Sequence, residues 1–207
     1  MDKETTRVDS TRVVLPLFQA EDDGSIPIST LQLQIGRTPI DVAVGLNEQW
    51  HSRLPIFNTG FCKNGWAYAA EFANRFYAVA IWSNPVAANL PQHEWLELRR
   101  FAIAPDAPKN TASRMLRVMR GRIRVDFPGI SRLISYQDEE AHRGTIYKAA
   151  GWLPTQRHAG GSWSRPNARN LNGTPRTRPD FNNAVGPKIR WEYSLTSEAR
   201  ARLPLGP

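Results

Sequence analysis

Cysteine is almost absent from this chain of 207 residues, with Cys62 as the single example. A lone cysteine cannot form a disulfide within the chain, so nothing in the sequence indicates an oxidising compartment. The histidines are also few, and neither they nor Cys62 recur at the short spacings typical of zinc ligands. The sequence therefore predicts no metal site. The four histidines are His51, His93, His142 and His158.

Long apolar runs are missing as well. A helix that crosses a bilayer needs about 20 mostly apolar residues, whereas the longest run here covers only residues 76–82. The first twelve residues, MDKETTRVDSTR, are polar and lack the apolar core of a signal peptide. We therefore expect a cytoplasmic protein without a membrane segment, in which residues 1–12 are a disordered tail.

Acidic residues are outnumbered, with 19 Asp and Glu against 27 Lys and Arg, which gives a net charge of +8. Such a balance favours polyanionic partners, although it also serves solubility alone. The imbalance is strongest in residues 155–187, where Asp180 is the single acid and Trp163 and Phe181 are interleaved with arginines. Arginines bind phosphates and aromatic rings can stack on unpaired bases. We expect this segment to contact DNA, with a merely solvated loop as the alternative. Its candidate DNA-binding residues are Arg157, Arg165, Arg169, Arg176 and Arg178.

Apolar periodicity predicts an α/β fold in which a central mixed sheet is flanked by helices. Residues 155–187 have no periodicity and are predicted as a loop insertion before the last strand. We expect one domain over residues 13–197 and a C-terminal tail over residues 198–207. The predicted strands cover residues 31–35, 66–72, 76–82, 96–103, 133–136 and 188–195, and the predicted helices begin near residues 40, 111 and 145.

The turn between the strand at residues 96–103 and the following helix is a candidate anion site. The first backbone N–H groups of a helix have no partner within the helix and lie at the positive end of its dipole. Lys109 and Arg114 add charge, and Asn110, Thr111 and Ser113 add side-chain donors. Simple capping of the helix by Asn110 or Thr111 explains the same residues equally well.

Asp138 stands just after the strand at residues 133–136. A carboxylate at that end of a strand can accept a proton from an amine or orient it. It can equally cap the segment that follows, where a negative charge suits the helix dipole. The sequence leaves both roles open.

The order strand, turn, helix, strand, and then a helix ending in Tyr147-Lys-Ala-Ala-Gly151-Trp152 resembles the GNAT acyltransferase superfamily. The resemblance implies a GNAT-like fold with acetyl-CoA or a related acyl-CoA held between the strands at residues 96–103 and 132–137. It also implies that Tyr147 protonates the departing thiolate, whereas a lone helix tyrosine more often packs in a core. The implied cofactor-binding residues are Phe101, Ile103, Lys109, Asn110, Thr111, Ala112, Ser113 and Arg114.

Within the superfamily, four short segments look most like the phage Mom proteins, which modify adenine in DNA. They are Leu98-Arg-Arg100, Lys109-Asn-x-x-Ser113-Arg114, Ile134-Ser-Tyr-x-Asp138 and Gly144-Thr-Ile-Tyr147. The usual GNAT turn is rich in glycine, and this glycine-free turn departs from it in the direction of the Mom proteins.

The Mom resemblance assigns polar positions of the site to Arg100 and Ser113, and it matches His51 to a histidine near the first helix. Histidine is the natural base near neutral pH, although one beside a tryptophan is often structural. Arg99 and Arg100 are expected to alternate faces, so that at most one points into the cleft. The other would make a surface salt bridge.

The resemblance implies an acyltransferase-like enzyme in the bacterial host cytoplasm. It would modify adenine in double-stranded DNA, as N6-carbamoylmethyladenine, and so protect a phage genome against restriction. Two alternatives stay open. One is an N-acetyltransferase that acts on a small-molecule or protein amine, and the other is a DNA-binding module without catalytic activity.

Overall fold

The computed structural model describes residues 26–51, 54, 57, 65–159 and 186–197. Seven strands form one mixed sheet in the order β1-β2-β3-β4-β5-β7-β6, which confirms the predicted α/β class. The strands are β1 (Gln34–Thr38), β2 (Trp66–Phe72), β3 (Arg75–Ser83), β4 (Trp95–Ile103), β5 (Arg132–Asp138), β6 (Leu153–His158) and β7 (Lys188–Ser194). The helices are α1 (Ile40–Trp50), α2 (Thr111–Asp126) and α3 (Thr145–Ala149). None of the helices in these ranges is long and apolar enough to cross a membrane.

Helices α1 and α2 cover opposite faces of the sheet. The apolar stripe of α2, which includes Met115, Leu116 and Met119, packs with Trp82 and Leu96 in the larger core cluster. A smaller cluster joins α1 to the other face of β2, β3 and β4. The 3.6-residue periodicity of α2 thus points its buried stripe at the sheet, as the sequence predicts.

The β2–β3 connection is a two-residue hairpin turn at Ala73 and Asn74, whose φ angles are 46° and 59°. Two consecutive positive φ angles define the turn that matches the twist of a tight hairpin. The turn aligns β2 with β3, and β3 pairs on its other side with β4, the strand that carries the candidate site.

β4 and β5 form the one parallel pair among the described strands, and they pair along only part of their length. The paired positions run from Trp95 and Arg132 to Leu98 and Ser135. Beyond these positions β4 continues to Ile103 and β5 to Asp138 without pairing with each other, although β4 stays paired with β3 and β5 with β7. We call the point beyond Leu98 and Ser135 the fork. An opening between two parallel strands exposes unpaired backbone groups and gives access to the sheet from both faces.

Two sequence-based expectations were wrong. Residues 153–158 lie in strand β6, although residues 155–187 were predicted as loop. β6 pairs only with β7 at the edge of the sheet, where Pro154 is tolerated because an edge strand need not donate on both sides. Residues 30–32 form a 3₁₀ turn capped by Ser29, so the first strand begins at Gln34 instead of residue 31.

Candidate active site at the fork of β4 and β5

A buried pair of hydroxyl groups lies at the fork. Ser135 is the last β5 residue paired with β4, and its Oγ lies 2.8 Å from the phenolic oxygen of Tyr147 in α3. Burial raises the pKa of Tyr147, and the hydrogen bond with Ser135 opposes that rise only in part. The phenol therefore stays protonated near neutral pH and can act as a proton donor.

The ring of Tyr147 is fixed by two tryptophans. It stacks on Trp191 of β7, with centroids 5.3 Å apart and planes 15° apart, and it meets Trp152 at 5.8 Å. Tyr147 therefore has a feature of each expected role. Its ring packs in the core, as in a structural tyrosine, and its hydroxyl lies at the fork, as a proton donor requires.

The segment between β5 and α3 holds Trp191 and Tyr147 in place. Nε1 of Trp191 donates to Oε1 of Gln137 at 2.7 Å, and Nε2 of Gln137 donates to the carbonyl of His142. Gly144 adopts a left-handed φ of 69°, and a Cβ there would lie 2.5 Å from Cζ2 of Trp191. Only glycine fits this close approach without strain.

α3 is also tied to α2. Nη1 of Arg120 donates to the carbonyl of Ala150 at 2.8 Å, and its guanidinium lies 4.5 Å from the ring centroid of Tyr193. Gly151 follows with φ of 78°, which is the predicted glycine at the end of this helix. Because α3 has only five residues, these contacts at its end set the position of Tyr147.

The first turn of α2 lines a cavity of about 270 Å³ on the same face of the sheet as Tyr147. The N-cap of α2 is Asn110, which has a left-handed φ of 73° and whose side chain makes no capping hydrogen bond. Thr111 Oγ1 donates to Pro108 O at 2.6 Å, and Ser113 Oγ donates to Asn110 O at 3.1 Å. Side-chain capping therefore does not explain this turn. Its cavity is lined by Ile103, Pro108, Asn110, Thr111, Ala112, Ser113, Thr145, Ile146 and Ala149.

Asn110 also accounts for the absence of glycine. Asparagine enters the left-handed region more readily than most residues with a side chain. The Thr111 N–H bonds to the Pro108 carbonyl at 3.2 Å and the Arg114 N–H to the Asn110 carbonyl at 3.1 Å. The remaining N–H groups of this first turn and the helix dipole fit the pyrophosphate of an acyl-CoA, because both favour an anion. Of the other predicted cofactor residues, Phe101 packs against the larger cluster, Lys109 is exposed, and Arg114 Nη2 reaches the Leu31 carbonyl at 3.5 Å.

Arg99 and Arg100 point to the same face, which corrects the expected alternation. Leu98 pairs with Trp82 and Arg100 with Ile81, so Arg99 is the extra residue of a β-bulge. A bulge turns two successive side chains to one side of the strand. Arg99 contacts Ser83 Oγ at 3.3 Å, and Arg100 lies 5.2 Å from the ring centroid of Phe57 in the α1-side cluster.

His51 follows α1 on this second face. Its Nδ1 accepts a hydrogen bond from the Leu54 backbone at 3.2 Å. Burial lowers the pKa of His51, and the neighbouring Arg100 and His142 lower it further. The imidazole is therefore neutral near neutral pH, which is the form that can accept a proton.

Asp138 ends β5 and organises the segment that follows. Its Oδ1 accepts hydrogen bonds from the backbone of Glu140 at 3.0 Å and of Ala141 at 3.3 Å. This is the capping role left open by the sequence. In the sheet register Asp138 pairs with Lys188 and lies two positions after Tyr136, which places it on the same face as Tyr136.

The candidate residues therefore divide between the two faces of the sheet. Tyr147, Ser113 and the cavity lie on the α2 side, and Arg100, His51 and Asp138 lie on the α1 side. Sequence reasoning missed the four side chains that position Tyr147. Ser135 stood within the quoted Ile134–Asp138 segment, and the other three carry no signal that a single sequence reveals. The four are Arg120, Ser135, Gln137 and Trp191.

Only one residue of the predicted DNA-binding set lies in the described ranges. Arg157 is on β6, and its Nε donates to Glu139 at 2.8 and 3.1 Å. Arg165, Arg169, Arg176 and Arg178 lie outside the described residues. No group of three His, Cys, Asp or Glu side chains arranged to hold a metal ion occurs in the part of the chain that the structure describes.

The arginines of α2 do not form a single free surface. Arg120 binds Ala150 as described above, and Arg124 Nε donates to the Leu195 carbonyl at 3.1 Å. Arg117 and Arg122 are exposed. The helix therefore offers fewer free cations to a polyanion than its sequence suggests.

A mixed sheet forked between two parallel strands, with a tyrosine helix beside the fork, defines the fold of the GNAT acetyltransferases. An acetyltransferase of Bacillus subtilis in complex with CoA superposes with a TM-score of 0.54 over 79% of this chain and 99% of that chain, at 12% identity. The chain belongs to the Mom protein family, whose model matches residues 58–174.

Two further solved structures share the fold. A GNAT family acetyltransferase from Elizabethkingia anophelis with acetyl-CoA bound gives a TM-score of 0.51 at 15% identity, covering 79% of this chain and 98% of that chain. The ribosomal-protein-S18-alanine N-acetyltransferase of Escherichia coli gives 0.54 at 12% identity, covering 79% and 94%. No curated protein sequence matches the chain. At these identities the likeness to solved structures is one of fold.

Proposed function

We propose that this protein is a Mom-type transferase that modifies adenine bases in double-stranded DNA, by carbamoylmethylation at N6, in the cytoplasm of a bacterial host. Membership of the Mom family supports the DNA substrate. The observation that carries the enzymatic part is the hydroxyl pair of Tyr147 and Ser135 at the fork, 2.8 Å apart. Such a modification would protect a phage genome against restriction.

An acyl-CoA-type cofactor fits the α2 face of the fork. The backbone N–H groups of the first turn of α2 would hold its pyrophosphate, and Ile103 and Ile146 line the same cavity. When bound as a thioester, such a cofactor would supply an acyl group through its carbonyl carbon. Because a carbamoylmethyl group joins N6 through a methylene carbon, acyl transfer alone does not form that bond, and the role proposed for this cavity is to bind the cofactor. Tyr147 holds a proton on its phenolic oxygen at the fork, with Ser135 Oγ as its partner. The stacked Trp191 and the adjacent Trp152 keep water away from that hydroxyl.

The acceptor would approach from the α1 face. His51 is neutral near neutral pH because burial, Arg100 and His142 lower its pKa, so it can accept the proton of an attacking amine. Arg100 supplies a positive charge on the same face, where it can bind a phosphate next to the target base. Asp138 fixes the segment that carries His142, and His142 interacts electrostatically with His51.

An adenine N6 in a duplex is reached only when the base leaves the stack, so base flipping is part of the proposal. The arginine-rich segment of residues 155–187, which begins in β6, supplies the charge that would hold the phosphates of the duplex. Binding should therefore weaken steeply as salt is raised.

The test is to express the protein in bacteria and analyse nucleosides from digested genomic DNA by mass spectrometry. A heavier deoxyadenosine that is lost in Tyr147→Phe and retained in Tyr193→Phe supports the proposal. Tyr193 is a suitable control because its ring packs near Trp152 and it is not at the fork. Unmodified DNA from cells that contain soluble wild-type protein would count against it.

A second candidate is an N-acetyltransferase for a small-molecule or protein amine. The observation that favours it is the use of Arg120 and Arg124 in backbone contacts, which lowers the number of cations free for DNA. The salt dependence of DNA binding separates the two candidates, since this second function predicts none.

A further inference from the structure

Tyr136 lies in the middle of the segment 134–138, yet nothing above assigns it a function. It is the first β5 residue beyond Ser135, where pairing with β4 ends. Because side chains alternate along a strand, Tyr136 points to the face opposite the one on which Ser135 meets Tyr147. Tyr136 therefore borders the fork on the α1 side, the side that Arg100 borders from β4.

The ring of Tyr136 is held in a fixed orientation. Burial raises the pKa of Tyr136, and Arg190, its partner in the sheet register, opposes that rise. The guanidinium of Arg190 is in turn held by Glu192 at 2.8 Å, and the Glu192 side chain is only 1% exposed. The ring of His158 lies 5.6 Å away at an interplanar angle of 59°.

The surroundings of Tyr136 suit a flat, electron-rich ligand that carries a nearby negative charge. α1 lies over β2, β3 and β4, and within the described ranges no helix covers the same face of β5, β7 and β6. Tyr136 is half-buried, so part of the residue remains accessible. The charged side chains on this face include the cations Arg99, Arg100, Arg132, Lys188 and Arg190 and the anions Glu97, Asp138 and Glu192.

We propose that Tyr136 is the stacking platform for the acceptor base, on the α1 side of the fork and opposite the cofactor cavity. This inference rests on the proposed DNA substrate and names the surface that receives the unstacked purine. A ring that is already oriented by Arg190 and His158 loses little conformational freedom when a base stacks on it. The excess of cations on this face would bind the phosphates that flank the base.

The experiment compares two single-stranded oligonucleotides of equal length, one of deoxyadenylate and one of abasic sites, which carry the same number of phosphates. Wild-type protein should bind the deoxyadenylate strand more tightly. Tyr136→Leu should reduce that preference by roughly 5- to 150-fold, which is the range for loss of one base–aromatic stack. Its affinity for the abasic strand should not change.

Tyr136→Phe keeps the ring and should keep the preference for bases. Tyr193→Leu is the matched control, because Tyr193 pairs with Leu133 in the register and lies on the opposite face. Tyr136→Val, which suits a strand, replaces the leucine variant if the latter does not fold.

Equal preference for bases in wild type and Tyr136→Leu would overturn the platform, and so would a wild-type protein that binds both strands equally. Failure of the proposed function has a different signature, namely genomic DNA without a modified nucleoside. A protein that modifies DNA but retains its base preference in Tyr136→Leu would refute the platform alone.

Discussion

The phenolic oxygen of Tyr147 and Oγ of Ser135 lie 2.8 Å apart at the position where β4 and β5 stop pairing. This relationship joins a feature of the sheet to a feature of α3. Ser135 is the last β5 residue that pairs with β4, and it is also the hydrogen-bond partner of the candidate proton donor. The position at which the sheet opens therefore also fixes the position of the Tyr147 hydroxyl.

Removing the Tyr147 hydroxyl should have a large effect on activity and a small effect on stability. Tyr147→Phe is expected to lower the modification rate by about 100-fold or more, the contribution of a positioned general acid. The free energy of unfolding should fall by only about 1 to 3 kcal/mol, because Ser135 loses its partner. Nucleoside mass spectrometry and chemical denaturation measure the two effects. A Tyr147→Phe protein with wild-type activity would remove the tyrosine from the mechanism.

Gly144 and Gly121 should respond in opposite directions to alanine. Gly144→Ala forces a Cβ against Trp191 and Gln137 at a left-handed φ and should destabilise the protein by about 1 to 3 kcal/mol. Gly121 lies in α2 with open space around its Cα, so Gly121→Ala should stabilise by about 0.5 to 1 kcal/mol. Thermal unfolding of the two variants checks the pair.

Substitutions of Arg120 and of Arg117 should distinguish an arginine that stabilises the fold from one that is available to bind DNA. Arg120→Met removes the bond to Ala150 and should cost about 2 kcal/mol of stability. Arg117→Met should change stability by less than about 0.5 kcal/mol, because Arg117 is exposed. If α2 contacts DNA, Arg117→Met should lower the slope of log affinity against log salt by about 1. An unchanged slope would exclude contact by this arginine.

The pH dependence of activity should follow His51. As a base it must be neutral, so activity should fall as the pH drops through its pKa, which burial, Arg100 and His142 hold below 6.5. Arg100→Met removes one of the charges that lower this pKa, so the acidic limb of the rate profile should move to higher pH. A rate profile measured on wild type and Arg100→Met tests this, and His51→Gln should lose the limb.

Asn110 should be replaceable by glycine but not by valine. At φ of 73° glycine is unstrained, so Asn110→Gly should retain coenzyme A binding. A β-branched residue disfavours this backbone conformation, so Asn110→Val should weaken binding and destabilise the start of α2. Isothermal titration with coenzyme A measures the affinity. Equal affinity in both variants would mean that the left-handed turn is not needed for the cofactor.

Most of the secondary structure was predictable because its signals are local. The stripe that includes Met115, Leu116 and Met119 predicts α2, and Ala73-Asn74-Arg75 between two apolar runs predicts the hairpin. β6 was missed because Leu153–His158 is mostly polar and contains a proline, and it becomes a strand only by pairing with β7. That pairing joins segments about 35 residues apart in sequence, which no local pattern records.

The candidate site was predicted in part. Tyr147, Ser113 and the turn before α2 came from order and resemblance, and the structure puts the turn beside a cavity. The division of the site between two faces was not predictable, because it depends on a bulge at Arg99 that the sequence does not mark. Gln137 and Arg120 were missed because each acts through a contact with a distant segment, which the local sequence does not reveal.

The bulge at Arg99 sets the phase of the rest of β4. Beyond it, Phe101 faces the α2 side and Ala102 the α1 side, the reverse of what unbroken alternation from Leu98 would give. Because Leu98 and Arg100 pair with the adjacent residues Trp82 and Ile81, deleting Arg99 would leave every later side chain on its present face. Deleting one residue between Arg100 and Ile103 would instead turn Ile103 away from the cavity at the start of α2. The number of residues in β4 after the bulge is therefore part of the site, whereas the bulge residue itself can be lost without changing which side chains face the cavity.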